Sequence, residues 1–239
     1  MAAQQTLLGG KIIYHQLDTG HRTGIEPVLL AASIPAKPGA TILEAGTGAG
    51  AGLLCLAHRV ELGIGIGLER EPTLAALAAA NLRANHCSAC AILIGDLIAA
   101  PLARHRFDHV MANPPWFDPA STASPDPLRR LARVISPSEL QDWITSLASL
   151  LRPGGTLSLI LPASRLPEFV QSCAMSRIGA LKIMPLWPRA GRPAKLMIVQ
   201  GTLQGRSPLQ LLAGLTLHDA DGFSPAASQI LRDGAGLAL

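Results

Sequence analysis

From residue 41 to residue 202 the chain alternates short β-rich apolar runs with longer Ala- and Leu-rich stretches whose apolar residues recur at helical spacing. Strands are predicted at 41–45, 64–69, 91–95, 107–112, 156–161, about 181–186 and about 196–202. Helices are predicted at 50–59, 72–84, 137–151 and near 166–175. Strand–helix alternation folds into an α/β architecture, a mostly parallel sheet with helices on both faces and right-handed crossovers. Such sheets bind ligands beyond the carboxyl ends of their strands. The residues that follow each predicted strand are therefore the candidates for chemistry.

Composition narrows the class. The 239 residues are 49% hydrophobic and 15% charged, enough apolar surface to offset the entropy of ordering and to exclude disorder. The longest stretch free of Asp, Glu, Lys and Arg runs from Ala45 to His58, short of the roughly 18 apolar residues a membrane span needs. The start, MAAQQTLLGGK, has no basic segment leading into an apolar core, so no secretory signal is expected. Cys55, Cys87, Cys90 and Cys173 make no disulfide framework, and a reduced cytoplasm is the expected compartment.

The first predicted strand, TILEA, runs into Gly46-Thr47-Gly48-Ala49-Gly50-Ala51-Gly52 and then a helix. Small residues there let backbone approach a ligand at a helix N-terminus. On glycines alone the spacing also fits a dinucleotide fold. Acidic residues favour S-adenosylmethionine. Glu44 ends the first strand, where a carboxylate can hold the amino-acid end of that donor directly or through water. Glu69 ends the second, where it can accept both ribose hydroxyls and repel a 2′-phosphate. Asp96, in Gly95-Asp96-Leu97, follows the third and suits an adenine amine. Candidate donor-binding residues are therefore Glu44, Gly46, Gly48, Gly50, Glu69, Arg70, Asp96, Leu97 and Asn113. The plainer alternative is an αβ turn with carboxylates acting as helix caps.

The fourth strand, FDHVMA, is followed at once by Asn113-Pro114-Pro115-Trp116. Proline pushes Asn113 to an extended conformation that aims its side-chain carbonyl outward, and Pro114 offers its own carbonyl. Two such acceptors can bind both hydrogens of a planar NH₂ and turn the nitrogen lone pair toward an electrophile. Trp116 supplies a face for an extruded base. These four residues are the candidate catalytic set, and alignment rather than a strong base is the expected source of rate. The alternative is a strand-ending Asn-Pro turn with Trp116 in the core.

Other signals are weaker. Cys87 and Cys90 form C-x-x-C without a second cysteine pair or metal-ligand histidine spacing, so they read as semi-buried thiols; Cys55 and Cys173 read as core, and no metal is expected. His15 and His109 could face the site but read more simply as satisfied side chains. Neither a G-x-S-x-G elbow nor a phosphate-binding Walker loop is present. The formal net charge of +4 gains meaning by position. Between Phe169 and His218 there is no Asp or Glu, yet Arg177, Lys182, Arg189, Arg192, Lys195 and Arg206 occur there. The densest part, from Trp187 through Arg189 and Arg192 to Lys195, is predicted as a surface loop. Arg129, Arg130 and Arg133 follow Trp116. These six arginines and lysines (129, 130, 133, 189, 192, 195) are the candidate nucleic-acid contacts, against the plain reading of solvated loop charge.

From Glu44 to Trp116 the sequence resembles the class I S-adenosylmethionine-dependent methyltransferases that modify exocyclic amines. Gly20-His21-Arg22-Thr23-Gly24-Ile25-Glu26-Pro27-Val28-Leu29-Leu30-Ala31, Asn113-Pro114-Pro115-Trp116-Phe117 and the 185–195 segment extend the likeness over nearly the whole chain. There it is similar to the bacterial tRNA adenine-N6 methyltransferases that act beside the anticodon of a valine tRNA. Position 26 is Glu where that family usually has Asp, and position 116 is Trp where Tyr or Phe is commoner. The resemblance implies a Rossmann-like, seven-stranded, mostly parallel sheet with the last strand antiparallel, S-adenosylmethionine as donor and tRNA as partner. The expected organisation is one domain, 1–239. Residues 1–35 form an extension over the donor, 36–205 the donor-binding core and 206–239 a strand and helix appendage. Two other acceptors remain open, a protein glutamine amide and an rRNA or DNA base amine, as does a non-catalytic or NAD-using domain.

Overall fold

The computed structural model describes residues 2–17, 23–99, 102–114 and 136–239. The chain opens with a hairpin of β1 (Ala2–Leu7) and β2 (Ile12–Leu17), turned at Gly9 and Gly10, whose φ values are 64° and 99°. Next come α1 (Glu26–Ser33), β3 (Thr41–Ala45), α2 (Ala51–Arg59), β4 (Ile64–Glu69), α3 (Pro72–Ala84), β5 (Cys90–Ile94) and β6 (Phe107–Ala112). They are followed by α4 (Pro137–Leu150), β7 (Leu151–Pro162), α5 (Leu166–Met175), β8 (Ile178–Arg189) and β9 (Leu196–Leu203). The chain closes with β10 (Gln210–Leu211), β11 (Leu215–His218), α6 (Pro225–Ser228) and a π-helical turn at Gln229–Asp233.

Nine strands form the main sheet in the order β10-β8-β9-β7-β6-β3-β4-β5, with β11 also pairing β8. Parallel pairing runs from β7 through β6, β3 and β4 to β5, and β9 is antiparallel to both β7 and β8. The expected seven-stranded core is thus β5-β4-β3-β6-β7-β9-β8, with β9, the last of the seven along the chain, antiparallel. The short β10 and β11 add to the free edge of β8. At the opposite end β5 is an open edge, with Leu93 and Ile94 exposed.

Side-chain alternation along β3 divides the interior. Ile42 enters one core with Leu29, Leu30, Leu53, Leu54 and Tyr14, while Leu43 enters the other with Val110, Leu140, Ile144, Leu157 and Phe169. Helices α1 and α2 and the hairpin therefore cover one face, and α4 and α5 the other. Helix starts follow their sequence signals. Glu71 caps α3 at Thr73 N, ahead of Pro72. Ser136 and Glu139 make a reciprocal capping box at α4.

Two expectations need correction. Strand β8 runs to Arg189, so Trp187, Pro188 and Arg189 are strand rather than surface loop. The Trp187 indole N–H donates to the Ala213 carbonyl at 3.1 Å, which ties β8 to the approach to β11. Strand β7 begins at Leu151 instead of 156, because the Pro153-Gly154-Gly155 turn lies within an irregular pairing with β6. Among the described residues no helix is long and apolar enough to cross a membrane.

Candidate active site

Register places the candidate residues side by side. Ala45 pairs with Leu68 on one side and Ala112 on the other, and Glu69 pairs with Ile94. The carboxyl ends of β6, β3, β4 and β5 therefore present Asn113, the glycine loop, Glu69 and Asp96 in that order. Strand spacing makes this row about 14 Å long. Pro115 and Trp116 lie outside the described residues, as do Arg129, Arg130 and Arg133.

The glycine loop is held in shape from several directions. Gly46, Gly48 and Gly50 have φ of 67°, 57° and 89°, values that other L-residues rarely adopt. Gly46 N and Thr47 N donate to Leu68 O at 2.8 and 3.1 Å. Glu44, 3% exposed, turns its carboxylate into the loop, where it accepts from the Thr47 hydroxyl and, at 2.9 Å, from Leu53 N in the first turn of α2. Its Oε1 occupies the space a Cβ on Gly52 would take, 2.1 Å from that position. Burial pushes the Glu44 acid up to about 7, with the Glu69 carboxylate adding to the rise and the Thr47 and Leu53 hydrogen bonds opposing it. Glu44 thus shapes the loop that joins β3 to α2.

Glu69 bridges two loops. Its Oε2 accepts from Gly48 N at 2.8 Å and its Oε1 from Glu71 N at 2.9 Å. Asp96 makes a tight turn by accepting from Ile98 N at 2.9 Å, and Leu97 beside it is buried. Arg70 is exposed. Asn113 is half-buried and Pro114 buried, directly beyond the Ala45–Ala112 pair, so Asn113 stands about one strand spacing from Gly46. Glu44 and Glu69 hold the positive-φ glycine loop and Asp96 follows β5 further along the sheet, a row that fits a cationic ligand with an elongated nucleoside body, the chemistry of S-adenosylmethionine.

Three neighbours of the loop escaped the sequence reading. Trp143 of α4 packs against Gly46, its ring 3.5 Å from where a Cβ would stand. Tyr14 of β2 is buried and shares a 2.7 Å hydrogen bond with Thr23; burial pushes its phenol up to about 12, and the Glu44 carboxylate adds to this. Asn81 of α3 is fully buried and donates to the Ala49 carbonyl at 2.9 Å. A polar residue in the Ala- and Leu-rich run of α3 was the one visible signal for Asn81.

The basic loop also lies at the carboxyl edge. Strand β8 ends and β9 begins there, since Leu186 and Pro162 both pair with Leu196. Arg192 and Lys195 are exposed, and the Arg189 guanidinium donates to Asp219 O. His109 shares a hydrogen bond with Thr156 at 2.7 Å, and His15 Nδ1 lies 3.3 Å from Asn81 Oδ1, so each histidine has a local partner. Cys55 and Cys173 are buried. Cys87 and Cys90 line clefts of about 400 and 600 Å³ near the amino ends of β4 and β5, the far edge from the glycine loop. Burial pushes the Cys87 thiol up and the Cys90 thiol up to about 12, which keeps them protonated. Among the described residues no group of three or more His, Cys, Asp or Glu is placed to hold a metal ion.

Known proteins resemble this chain in sequence and in fold. The family model for protein-L-isoaspartate(D-aspartate) O-methyltransferase matches residues 23–111. A tRNA1(Val) (adenine(37)-N6)-methyltransferase from Porphyromonas gingivalis is 31% identical over 215 residues, 84% of this chain and 83% of that protein. One of the same description from Actinobacillus pleuropneumoniae is 30% identical over 214 residues, 88% of this chain and 89% of that protein. A crystal structure from Agrobacterium tumefaciens, described as a predicted O-methyltransferase, superposes with a TM-score of 0.74 at 25% identity. That match covers 90% of this chain and 99% of the other.

Proposed function

Since the chain belongs to the tRNA1(Val) (adenine(37)-N6)-methyltransferase family, we propose that it methylates the exocyclic N6 of that adenine, with S-adenosylmethionine as donor and the cytoplasm as its place of action. The observation that carries this reading is the Ala45–Ala112 register, which sets Asn113 beside the glycine loop. The O-methyltransferase family model stops at Met111, before Asn113, so it speaks to the donor half alone.

When bound, the donor supplies a methyl group activated by a sulfonium. The residues that would hold it are the 46–50 loop, with Glu44 fixing the loop, Glu69 at the ribose, Asp96 and Leu97 at the adenine and Arg70 beside them. The hairpin, joined to the loop through Asn81, walls one flank. Asn113 Oδ1 and the Pro114 carbonyl accept the two N–H bonds of the target amine and leave its lone pair facing the donor site. Trp116 stacks on the base. No strong base is needed, because the amine proton becomes acidic only after attack and can leave to water. Arg189, Arg192 and Lys195, together with Arg129, Arg130 and Arg133, hold RNA phosphates.

The test is methylation of a tRNA1(Val) transcript, with nucleosides identified by mass spectrometry. N6-methyladenosine is expected from the natural sequence, and none when adenine 37 is replaced by guanine. Methyl transfer into a protein band with no methylated nucleoside would give the site to a glutamine amide. Asn113→Ala is expected to keep S-adenosylhomocysteine affinity while turnover falls on the order of 100-fold, the loss typical of one positioning acceptor. Unchanged turnover would place the amine elsewhere.

A further inference from the structure

Asn81 stands on α3 and Asn85 is the residue that caps its C-terminus, four positions on, a rise of about 6 Å. Ile13 and His15 stand two apart on β2, a rise of about 6.7 Å. This match lets each carboxamide lie flat against one strand residue. Asn85 Oδ1 accepts from Ile13 N at 2.9 Å and its Nδ2 donates to Ile13 O at 2.7 Å. Asn81 repeats the pattern at His15, at 2.9 and 2.8 Å. A helix side chain and its C-cap neighbour thus complete the edge of β2 that β1 leaves open.

Asn81 goes further than Asn85. Its Nδ2 also donates to Ala49 O at 2.9 Å, and its Oδ1 lies 3.3 Å from His15 Nδ1. The side chain is 0% exposed, and its donor and acceptor capacity is spent across two segments distant in sequence. Ala49 follows Gly48, whose N–H is fixed by Glu69. Asn81 therefore holds the 49–50 peptide, two peptide bonds on from the 47–48 peptide that the candidate ribose carboxylate holds.

We propose that Asn81 is a positioning residue of the donor site, joining the 48–50 loop to the N-terminal hairpin so that donor binding and hairpin docking form one coupled equilibrium. This rests on the donor-site reading above. Coupling of this kind is reciprocal: a filled donor site holds the Ala49 carbonyl and Asn81, and Asn81 then holds His15.

The test measures hydrogen exchange across residues 8–17 of the full chain with and without S-adenosylhomocysteine, alongside calorimetry of that ligand. In the unaltered protein the ligand is expected to slow exchange in β2. Asn81→Ala is expected to weaken the ligand about tenfold, the loss of roughly one buried hydrogen bond, and to abolish the slowing. Asn85→Ala loses the equivalent contact at Ile13 and the Asn85 bond to the Asn81 backbone carbonyl, while the Asn81 side chain keeps its bonds to His15 and the loop. This variant is expected to speed β2 exchange while leaving ligand affinity and the slowing intact. Binding without any change in β2 exchange would overturn the proposal, and needs no variant to fold. Equal loss of affinity in both variants would overturn it too, since Asn81 would then act only on the hairpin. No binding to the unaltered protein would sink the donor-site reading itself.

Discussion

Glu44 shows how a single side chain serves a strand, a loop and a helix at once. Its carboxylate ends β3, fixes Thr47 and meets the N-terminal turn of α2, in a position so enclosed that its acid is pushed up to about 7 from 4.5. The folded protein therefore binds this proton more tightly than the unfolded chain does. Between about pH 4.5 and 7 the folded state holds more of it, so the Glu44 contribution to stability is present at the acid end and is lost as pH rises through 7. Glu44→Gln keeps the acceptor oxygen and removes the titration. Denaturant unfolding across pH 4.5 to 8 is expected to show a gap between the variant and the unaltered protein that changes by on the order of 3 kcal/mol. A constant gap would mean Glu44 ionises as freely as in solution. Sequence position alone told where Glu44, Glu69, Asp96 and Asn113 would stand, because ending a strand is a local property. The bond from Asn81 to His15 spans 66 residues, and nothing local announces it.

At the scale of elements, boundaries held where local chemistry sets them. Pro72 with Glu71 opens α3, and Pro137 with Ser136 and Glu139 opens α4. Boundaries shifted where pairing partners decide, as in β8, which lengthens to Arg189 because β11 docks along it from Leu215 to His218. The N-terminal hairpin was not read from the sequence, because its first strand carries Gln4, Gln5 and Thr6 and its edge is completed by Asn81 and Asn85, about seventy residues away. Helix α4 deserves a direct probe, since it carries Trp143 against Gly46. Ser136→Ala removes half of the capping box and is expected to cost about 1 kcal/mol, lowering the melting temperature by about 2–4 °C. No shift would mean the box contributes nothing to the folded state.

Over the whole molecule, charge is sorted along one edge of the sheet. Glu44, Glu69 and Asp96 lie at β3, β4 and after β5, while Arg189, Arg192 and Lys195 lie beyond β8 and β9 on the other side of Asn113. A cationic donor and a polyanionic acceptor would thus be drawn to opposite halves and meet in the middle. A net charge of +4 conceals this division. Replacing both Arg192 and Lys195 with Ala is expected to raise the KM for tRNA and leave kcat near its original value. The slope of log KM against log salt should flatten by about 1–2, one unit per lost phosphate contact. An unchanged slope would remove this loop from the RNA surface. Arg189 is the poorer probe, because its guanidinium also holds the Asp219 carbonyl.

The Ala45–Ala112 pairing bears on how such a chain can change length over generations. Side chains on a strand alternate between faces, so gaining or losing one residue within β6 would turn the following side chain to the opposite face and carry Asn113 away from Gly46. The turn between β8 and β9 is under no such constraint, because its ends are fixed by the Leu186–Leu196 pair rather than by any residue it contains. A change of length at 190–194 would leave the Leu186–Leu196 register intact, whereas one from Phe107 to Asn113 would move Asn113 off Gly46.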